Sequence, residues 1–91
     1  MSVRVKIYHA ELQRVIGDAD GLRLEGATVG ECLADLVRRY PQAKPIIFDA
    51  KGKLHKRFYV FVNQESLFKA DFDRPVTEKD ELIFVVLATA G

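Results

Sequence analysis

One amphipathic helix with a single apolar stripe constrains the fold of this chain more than any other feature. Thr28-Val29-Gly30-Glu31 matches a capping box, in which the threonine hydroxyl accepts an early helix N–H and the glutamate reaches back. Apolar residues then recur at three- and four-residue spacing on one face, namely Val29, Leu33, Leu36, Val37 and Tyr40. Since Pro41 stops the pattern, the sequence predicts a helix over residues 29–40.

Strand patterns precede this helix. Apolar residues alternate with polar or aromatic ones over residues 3–8, which is typical of a strand with one buried face. A turn cluster at 17–21 separates this strand from a second alternating piece at 22–24. The pattern predicts an N-terminal hairpin, and the stretch 10–16 leaves its bounds open.

Further strand patterns follow the helix. A predicted loop over 42–56 contains an apolar turn at 46–48, and a strand follows at 58–62. A short fourth piece is predicted at Leu67-Phe68, and the last strand runs from Glu81 to Leu87. The predicted order is therefore β-β-α-β-(β)-β.

A lone amphipathic helix in such a chain has to bury its stripe against the sheet. A right-handed crossover through the helix would make the first and last strands parallel neighbours in the middle of the sheet. The predicted fold class is α+β, a ubiquitin-like β-grasp with a mixed sheet of four to five strands packed on one main helix. We expect one domain over 1–87 and a flexible C-terminal tail over 88–91.

Composition excludes several classes of protein. The 91 residues carry 14 basic and 13 acidic side chains, so the formal net charge of +1 argues against a protein that binds nucleic acid through bulk charge. One cysteine cannot form an internal disulfide or a site with several thiolates. No apolar run is long enough for a membrane span, and the first residues do not resemble a signal peptide. We expect a cytoplasmic protein.

The residues that most often carry chemistry have ordinary interpretations here. Cys32 falls at the edge of the apolar stripe and is predicted to be a small buried side chain. His9 and His55 lie far apart, with no metal-ligand or triad spacing around them, so we predict a surface or hydrogen-bonded role for each. No metal site and no bound cofactor are expected.

The third and last strands are apolar at consecutive positions, which normally means that both faces are covered. One helix covers only one face, so the outward side chains should form an apolar patch that docks a partner. They are Tyr59, Phe61, Ile83, Val85 and Leu87. The alternatives are that residues 42–56 fold over this patch or that two copies of the chain associate through it.

Three segments match those of a known family in order and spacing. They are Thr28-Val29-Gly30-Glu31-Cys32-Leu33, Tyr59-Val60-Phe61-Val62-Asn63 and Lys79-Asp80-Glu81-Leu82. The chain resembles the ubiquitin-like sulfur-carrier proteins: the small subunit of molybdopterin synthase, the thiamine sulfur carrier and the carrier for cysteine synthesis. The segment Gly52-Lys53-Leu54-His55-Lys56-Arg57 is most similar to the cysteine-synthesis group.

The resemblance implies a definite chemistry. In such families a partner adenylating enzyme, related to ubiquitin-activating enzymes, uses ATP to activate the C-terminal glycine carboxylate. A sulfur donor then converts it to a thiocarboxylate, which passes sulfur to a biosynthetic acceptor enzyme. On this interpretation Gly91 is the covalent site and Ala88, Thr89 and Ala90 form the thread that enters the partner. The chain is then a co-substrate and not an enzyme.

The family pattern ends in two glycines, whereas this chain ends in Ala90-Gly91. Alanine adds a methyl group and disfavours positive φ, so a partner channel that needs glycine there would slow activation. Two rivals follow: a ubiquitin-like binding subunit that has lost sulfur transfer, and a protein modifier that joins Gly91 to a lysine.

Overall fold

The computed structural model describes residues 2–17, 21–55, 58–66 and 72–86. The strands and helices in these residues follow the predicted order, with additional short helices. The strands are β1 (Ser2–Tyr8), β2 (Arg23–Glu25), β3 (Phe58–Val62), β4 (Glu65–Ser66) and β5 (Glu81–Val86). The helices are α1 (Ala10–Ile16), α2 (Val29–Arg39) and α3 (Lys44–Ile47), and a 3₁₀ turn at Pro41–Ala43 precedes α3.

The last strand of the chain lies at the centre of the sheet. The strand order is β2-β1-β5-β3-β4. β5 runs parallel to β1 and antiparallel to β3, while β2 and β4 form antiparallel edges. This arrangement confirms the predicted ubiquitin-like β-grasp, with the first and last strands as parallel neighbours.

The core lies between α2 and one face of the sheet. The helix contributes Val29, Cys32, Leu33 and Leu36, all at most 1% exposed. They form one cluster with the inward side chains of the strands, among which the rings of Phe58 and Phe84 lie 5.5 Å apart. The single stripe is therefore buried against the sheet, as the sequence predicts.

The predicted capping box forms at the start of α2. The Thr28 hydroxyl accepts the N–H of Glu31 at 3.2 Å, and the Glu31 carboxylate accepts the N–H of Ala27 at 3.0 Å. The helix ends at Arg39, and Pro41 begins the 3₁₀ turn. The predicted span of 29–40 is confirmed to within one residue.

A distant segment of the chain completes this helix start. The N–H of Val29 donates to the carbonyl of Arg74 at 3.0 Å, and the N–H of Gly30 donates to the carbonyl of Phe72 at 2.9 Å. These early N–H groups have no partner inside the helix. The segment just before β5 therefore fixes the N-terminus of α2 by accepting its first backbone hydrogen bonds.

The predicted N-terminal hairpin is confirmed in the antiparallel pairing of β1 with β2, and the connection, whose bounds the sequence left open, contains a helix. The stretch 10–16 forms α1, capped by His9, whose Nδ1 accepts the N–H of Leu12 at 3.3 Å. Leu12 and Ile16 are buried four residues apart, and Gly17 closes the helix with a φ of 81°. A helix of seven residues repeats its apolar period too few times to be recognised in the sequence next to the turn cluster.

The other bounds agree with the sequence patterns where the structure describes them. β3 occupies the predicted 58–62, and β5 follows the predicted strand as far as Val86. The short fourth strand lies at Glu65–Ser66, while the predicted Leu67-Phe68 lies outside the described residues.

One buried carboxylate ties α2 to β2. Asp35 is 6% exposed and accepts the backbone N–H of Glu25 at 3.0 Å. It also pairs with Arg38, and with Arg39 at 3.4 Å. Arg39 in turn donates to the carbonyl of Arg23 at 2.7 Å. Burial by itself would raise the pKa of Asp35, but these donors hold it below its ordinary value of 3.8.

Replacement of Asp35 by asparagine should cost about 1–3 kcal/mol of unfolding free energy at pH 7. A carboxyl group whose pKa is lowered by folding contributes stability that is fully present above pH 3.8 and is lost as the pH falls through the folded value. The difference in unfolding free energy between the wild type and Asp35→Asn, measured with urea, should therefore become smaller below pH 3.8. The control Glu78→Gln, in an exposed turn, should change stability by less than about 0.5 kcal/mol. A pH-independent D35N difference would contradict this account.

Gly26 is required because the start of α2 passes too close to it for a side chain. A Cβ there would lie 2.8 Å from both the backbone N of Cys32 and the Cβ of Glu31. We expect Gly26→Ala to destabilise the protein by about 2–3 kcal/mol in urea unfolding. Gly52, with a φ of +82° and open space around it, is the control, and Gly52→Ala should cost only about 1–2 kcal/mol. Equal losses would mean that close packing at Gly26 is not the cause.

Candidate functional site

The outer face of the sheet, opposite α2, brings together four of the five residues predicted for docking. Tyr59 and Phe61 on β3 and Ile83 and Val85 on β5 are partly exposed, whereas the residues between them are buried. The predicted facing of these strands is therefore confirmed within the described residues. The fifth residue, Leu87, lies outside them.

Strand register arranges these side chains in two rows across the sheet. Phe61 lies opposite Ile83, and Tyr59 lies opposite Val85. On the other side of β5, Lys6 lies beside Ile83 and Tyr8 beside Val85. The rows therefore run Lys6, Ile83, Phe61 and Tyr8, Val85, Tyr59, and these six residues are here named the docking face.

Tyr8 is a member of this face that the sequence analysis left out. It is 60% exposed, which makes it the large hydrophobic residue most open to solvent in the described chain. The alternation along β1 indicates that Tyr8 faces outward. Only the parallel pairing of β1 with β5 brings it beside Val85, so the pattern alone did not assign it to the patch.

The loop after α2 does not cover the docking face. Its buried side chains Ala43, Ile47 and Leu54 belong to the core cluster on the helix side, and Ile46 and Phe48 pack against the same core. For residues 42–55, the alternative in which this loop folds over the outward side chains is therefore wrong.

Hydrogen bonds among Asn63, Asp80 and Glu81, here named the polar lock, fix the start of β5 against the end of β3. Asn63 adopts a φ of 58°, and its side chain donates to Asp80 at 2.9 Å and accepts the N–H of Glu81 at 3.0 Å. The Asn63 N–H donates to the Glu81 carbonyl at 2.8 Å. The hydrogen bond from Asn63, with help from Thr77, holds the pKa of Asp80 below its usual range. The lock sets the register of the strand that leads to the tail.

The tail itself is not part of the described structure. Ala88, Thr89, Ala90 and Gly91 all lie outside the described residues, so the covalent site stays a prediction. The described chain stops at Val86 on the central strand, between β1 and β3. Whatever follows continues from a strand that is held on both sides.

Cys32 and His9 are buried structural residues. Burial, followed by the nearby Asp35 carboxylate, raises the pKa of the Cys32 thiol to about 11, so it is protonated at neutral pH. Burial lowers the pKa of His9, whose Nδ1 caps α1. The exposed His55 lies 2.9 Å from the carbonyl of Pro45 through its Nε2. These contacts agree with the ordinary roles predicted from the sequence.

Other kinds of site find no support in the described ranges. No three histidine, cysteine or carboxylate side chains in them lie close enough to ligate a metal ion. Among the described helices, none is long and apolar enough to cross a membrane. What these residues do offer is a partly exposed apolar face, which is suited to binding another protein.

Comparison with known proteins assigns this architecture to a family. A family model described as the ThiS family matches residues 7–91. Among curated protein sequences, none is significantly similar to the chain.

Solved structures agree in fold over the whole chain. SAMP1 from Haloferax volcanii is 26% identical, with a TM-score of 0.82 and coverage of 100% of both chains. A chain of the BexX/CysO complex from Amycolatopsis orientalis is 26% identical, with a TM-score of 0.76 and coverage of 96% of this chain and 99% of that one. CysO from Mycobacterium tuberculosis is 21% identical, with a TM-score of 0.77 and coverage of 93% and 100%, and its likeness concerns the fold alone.

These findings confirm the resemblance to ubiquitin-like sulfur carriers. The family match begins within β1 and extends through Gly91, and the fold agrees with that of SAMP1 over the full length of both chains. The chain therefore belongs to the ThiS family.

Proposed function

We propose that the chain is a sulfur carrier whose C-terminal Gly91 is activated by a partner enzyme and converted to a thiocarboxylate. The observation that carries this proposal is the family match, which extends through Gly91. The carrier supplies the acyl group and a docking surface, and the partners supply the catalysis. The sulfur then passes to a biosynthetic acceptor of the molybdopterin, thiamine or cysteine type.

The proposed chemistry takes place in two steps. The Gly91 carboxylate attacks the α-phosphorus of ATP, which forms an acyl-adenylate and releases pyrophosphate. Sulfide from the sulfur donor then attacks the carbonyl carbon, so that a C–S bond forms, the C–O bond to AMP breaks and AMP leaves, with no change of oxidation state. Glycine suits both steps because it has no side chain to hinder approach to its carbonyl.

The geometry of the sheet supports partner docking. Ile83 and Val85 of the docking face belong to the same strand that continues toward the tail. A partner bound to this face would be held close to the C-terminal end of β5. A structural neighbour is part of the BexX/CysO complex, which supports protein binding as the mode of action here.

A second candidate function is protein modification. It is favoured by the likeness to SAMP1, a small archaeal modifier protein, at 26% identity over the full length. The same acyl-adenylate would serve, but a lysine amine in place of sulfur would attack the carbonyl and form an isopeptide bond. The two functions differ only in the acceptor that reaches the activated Gly91.

Mass spectrometry of the intact protein separates these functions. Incubation with a cognate adenylating enzyme, ATP and a sulfur donor should raise the mass by about 16 Da, the difference between sulfur and oxygen. Ala90→Gly should react faster because it restores the conformational freedom of the family's glycine pair. A variant extended beyond Gly91 should show no increase in mass, since it has no glycine carboxylate at its end.

The outcomes of that incubation are distinct. No adenylate and no mass gain, with a partner that activates its own family member under the same conditions, would overturn the proposal. Conjugates on lysines of other proteins, with no thiocarboxylate, would favour the modifier. An equal gain in the extended variant would contradict the free-carboxylate mechanism.

Two adjacent positions on β3 test the docking face. Phe61 is partly exposed on the outer face, whereas Val60 is 1% exposed in the core. Phe61→Asp should weaken binding of the adenylating enzyme about 10- to 100-fold in calorimetry, with circular dichroism unchanged. Val60→Asp should unfold the domain because it buries an unpaired charge. If Phe61→Asp binds like the wild type, docking occurs elsewhere.

A further inference from the structure

A groove runs along the β2 side of β1, next to the docking face. Its volume is about 670 Å³. Its apolar part is formed by the buried residues Val5 and Ile7 of β1 and Leu22 just before β2, and Gln13, which also lines it, donates to the carbonyl of Ile7 at 2.6 Å. The side chains that give it polar character are Arg4, Lys6, Tyr8, Gln13, Arg23 and Glu81.

Positive charge dominates the described lining of this groove. Arg4, Lys6 and Arg23 face a single described carboxylate, that of Glu81, and register places Arg4 between Arg23 and Glu81. All three cations are exposed. The sum over these four groups is a charge of +2, in a chain whose formal net charge is only +1.

Within the described residues, Arg4, Lys6 and Arg23 form no ion pair. In the described part of the chain, no carboxylate forms an ion pair with Arg4 or Lys6. Arg23 donates to the hydroxyl and the carbonyl of Ser2, neither of which carries a charge. Arg38, Arg39 and Arg74, by contrast, each pair with an acidic side chain.

The groove and the docking face share residues. Lys6 and Tyr8 line the groove and also begin the two rows of the face. A protein that covers Ile83 and Phe61 would therefore extend over Lys6 toward Arg4. Apolar contact is non-directional, whereas charge pairs at its border fix orientation and select partners.

We propose that this groove takes an acidic segment of the activating partner, laid along β1 while the partner's apolar surface covers the docking face. Carboxylates of that segment pair with Arg4 and Lys6, and with the free donors of Arg23. The pairing fixes the direction in which the partner sits on the sheet. This inference rests on the proposed function, since it concerns how the adenylating enzyme binds.

Two double variants with equal change in charge test the inference. Arg4→Gln with Lys6→Gln removes two charges from the groove, and Lys51→Gln with Lys53→Gln removes two from an exposed turn outside the sheet. Binding of the full-length chain to the purified cognate adenylating enzyme is measured by calorimetry at low and high salt. We expect the groove variant to lose about tenfold or more in affinity at low salt, and the turn variant to stay within about twofold.

Salt dependence adds a second readout. Wild-type affinity should fall as salt rises, and the groove variant should show a flatter dependence because two of its charge pairs are gone. If the two double variants have equal affinity and an equal dependence of affinity on salt, the proposed role of the groove is overturned, even if Phe61→Asp abolishes binding. In urea unfolding, both double variants should have the stability of the wild type. If the groove variant loses affinity only because it is unfolded, the proposed role of the groove is also overturned.

The acidic residues Asp18 and Asp20 stand in the sequence between the lining residues Gly17 and Gly21, and they lie outside the described residues. An acidic partner should bind Asp18→Asn with Asp20→Asn as tightly as the wild type or more tightly. Weaker binding would mean that the partner brings cations, which overturns the inference.

The two proposals fail in different ways. Binding that depends on Arg4 and Lys6 but leads to no acyl-adenylate would overturn the proposed function and support the groove. An acyl-adenylate that forms equally well on both double variants would support the function and overturn the groove. An enzyme that neither binds nor activates the wild type would overturn both.

Discussion

The parallel pairing of β1 with β5 is the contact on which the rest of the structure depends. It joins the two ends of the described chain, from Arg4 opposite Glu81 to Tyr8 opposite Val85. Because β3 pairs with the other edge of β5, the backbone of the last strand has a hydrogen-bonding neighbour on each edge, whereas α2 covers only one of its two apolar faces. Its inward residues complete the core, and its outward residues form the docking face.

The second long-range constraint is the attachment of α2 to the segment before β5. The carbonyls of Phe72 and Arg74 accept the first N–H groups of the helix, and Gly30 leaves room for this close approach because a Cβ there would lie 3.1 Å from the Cβ of Phe72. Asp35 anchors the next turns of the same helix to β2. The helix is thus tied to β2 and to the segment before β5, and it leaves the outer face of the sheet uncovered.

The proposed function divides binding and catalysis between this domain and a partner enzyme. The described residues hold a protonated, buried thiol and structurally engaged histidines, and we assign the chemistry proposed for Gly91 to a partner enzyme. On the proposed function, the domain contributes binding. The apolar rows would supply contact area and the cations of the neighbouring groove would supply direction, which together would present the end of β5 to a partner in one orientation.

The amino-acid sequence by itself determined α2, the bounds of β3, the start of β5, and the facing of Tyr59, Phe61, Ile83 and Val85, because periods of 3.6 and 2 are carried by neighbouring residues. It did not reveal α1, whose seven residues hold too few periods. Only the tertiary structure decided that Tyr8 and Lys6 extend the docking face and that Arg4, Lys6 and Arg23 line one groove. The pairing of β1 with β5 follows from the order of the elements, but which residues lie opposite one another is set by backbone hydrogen bonds between strands that lie far apart in the chain. Local alternation fixes the face on which a residue lies and not its neighbour on the next strand.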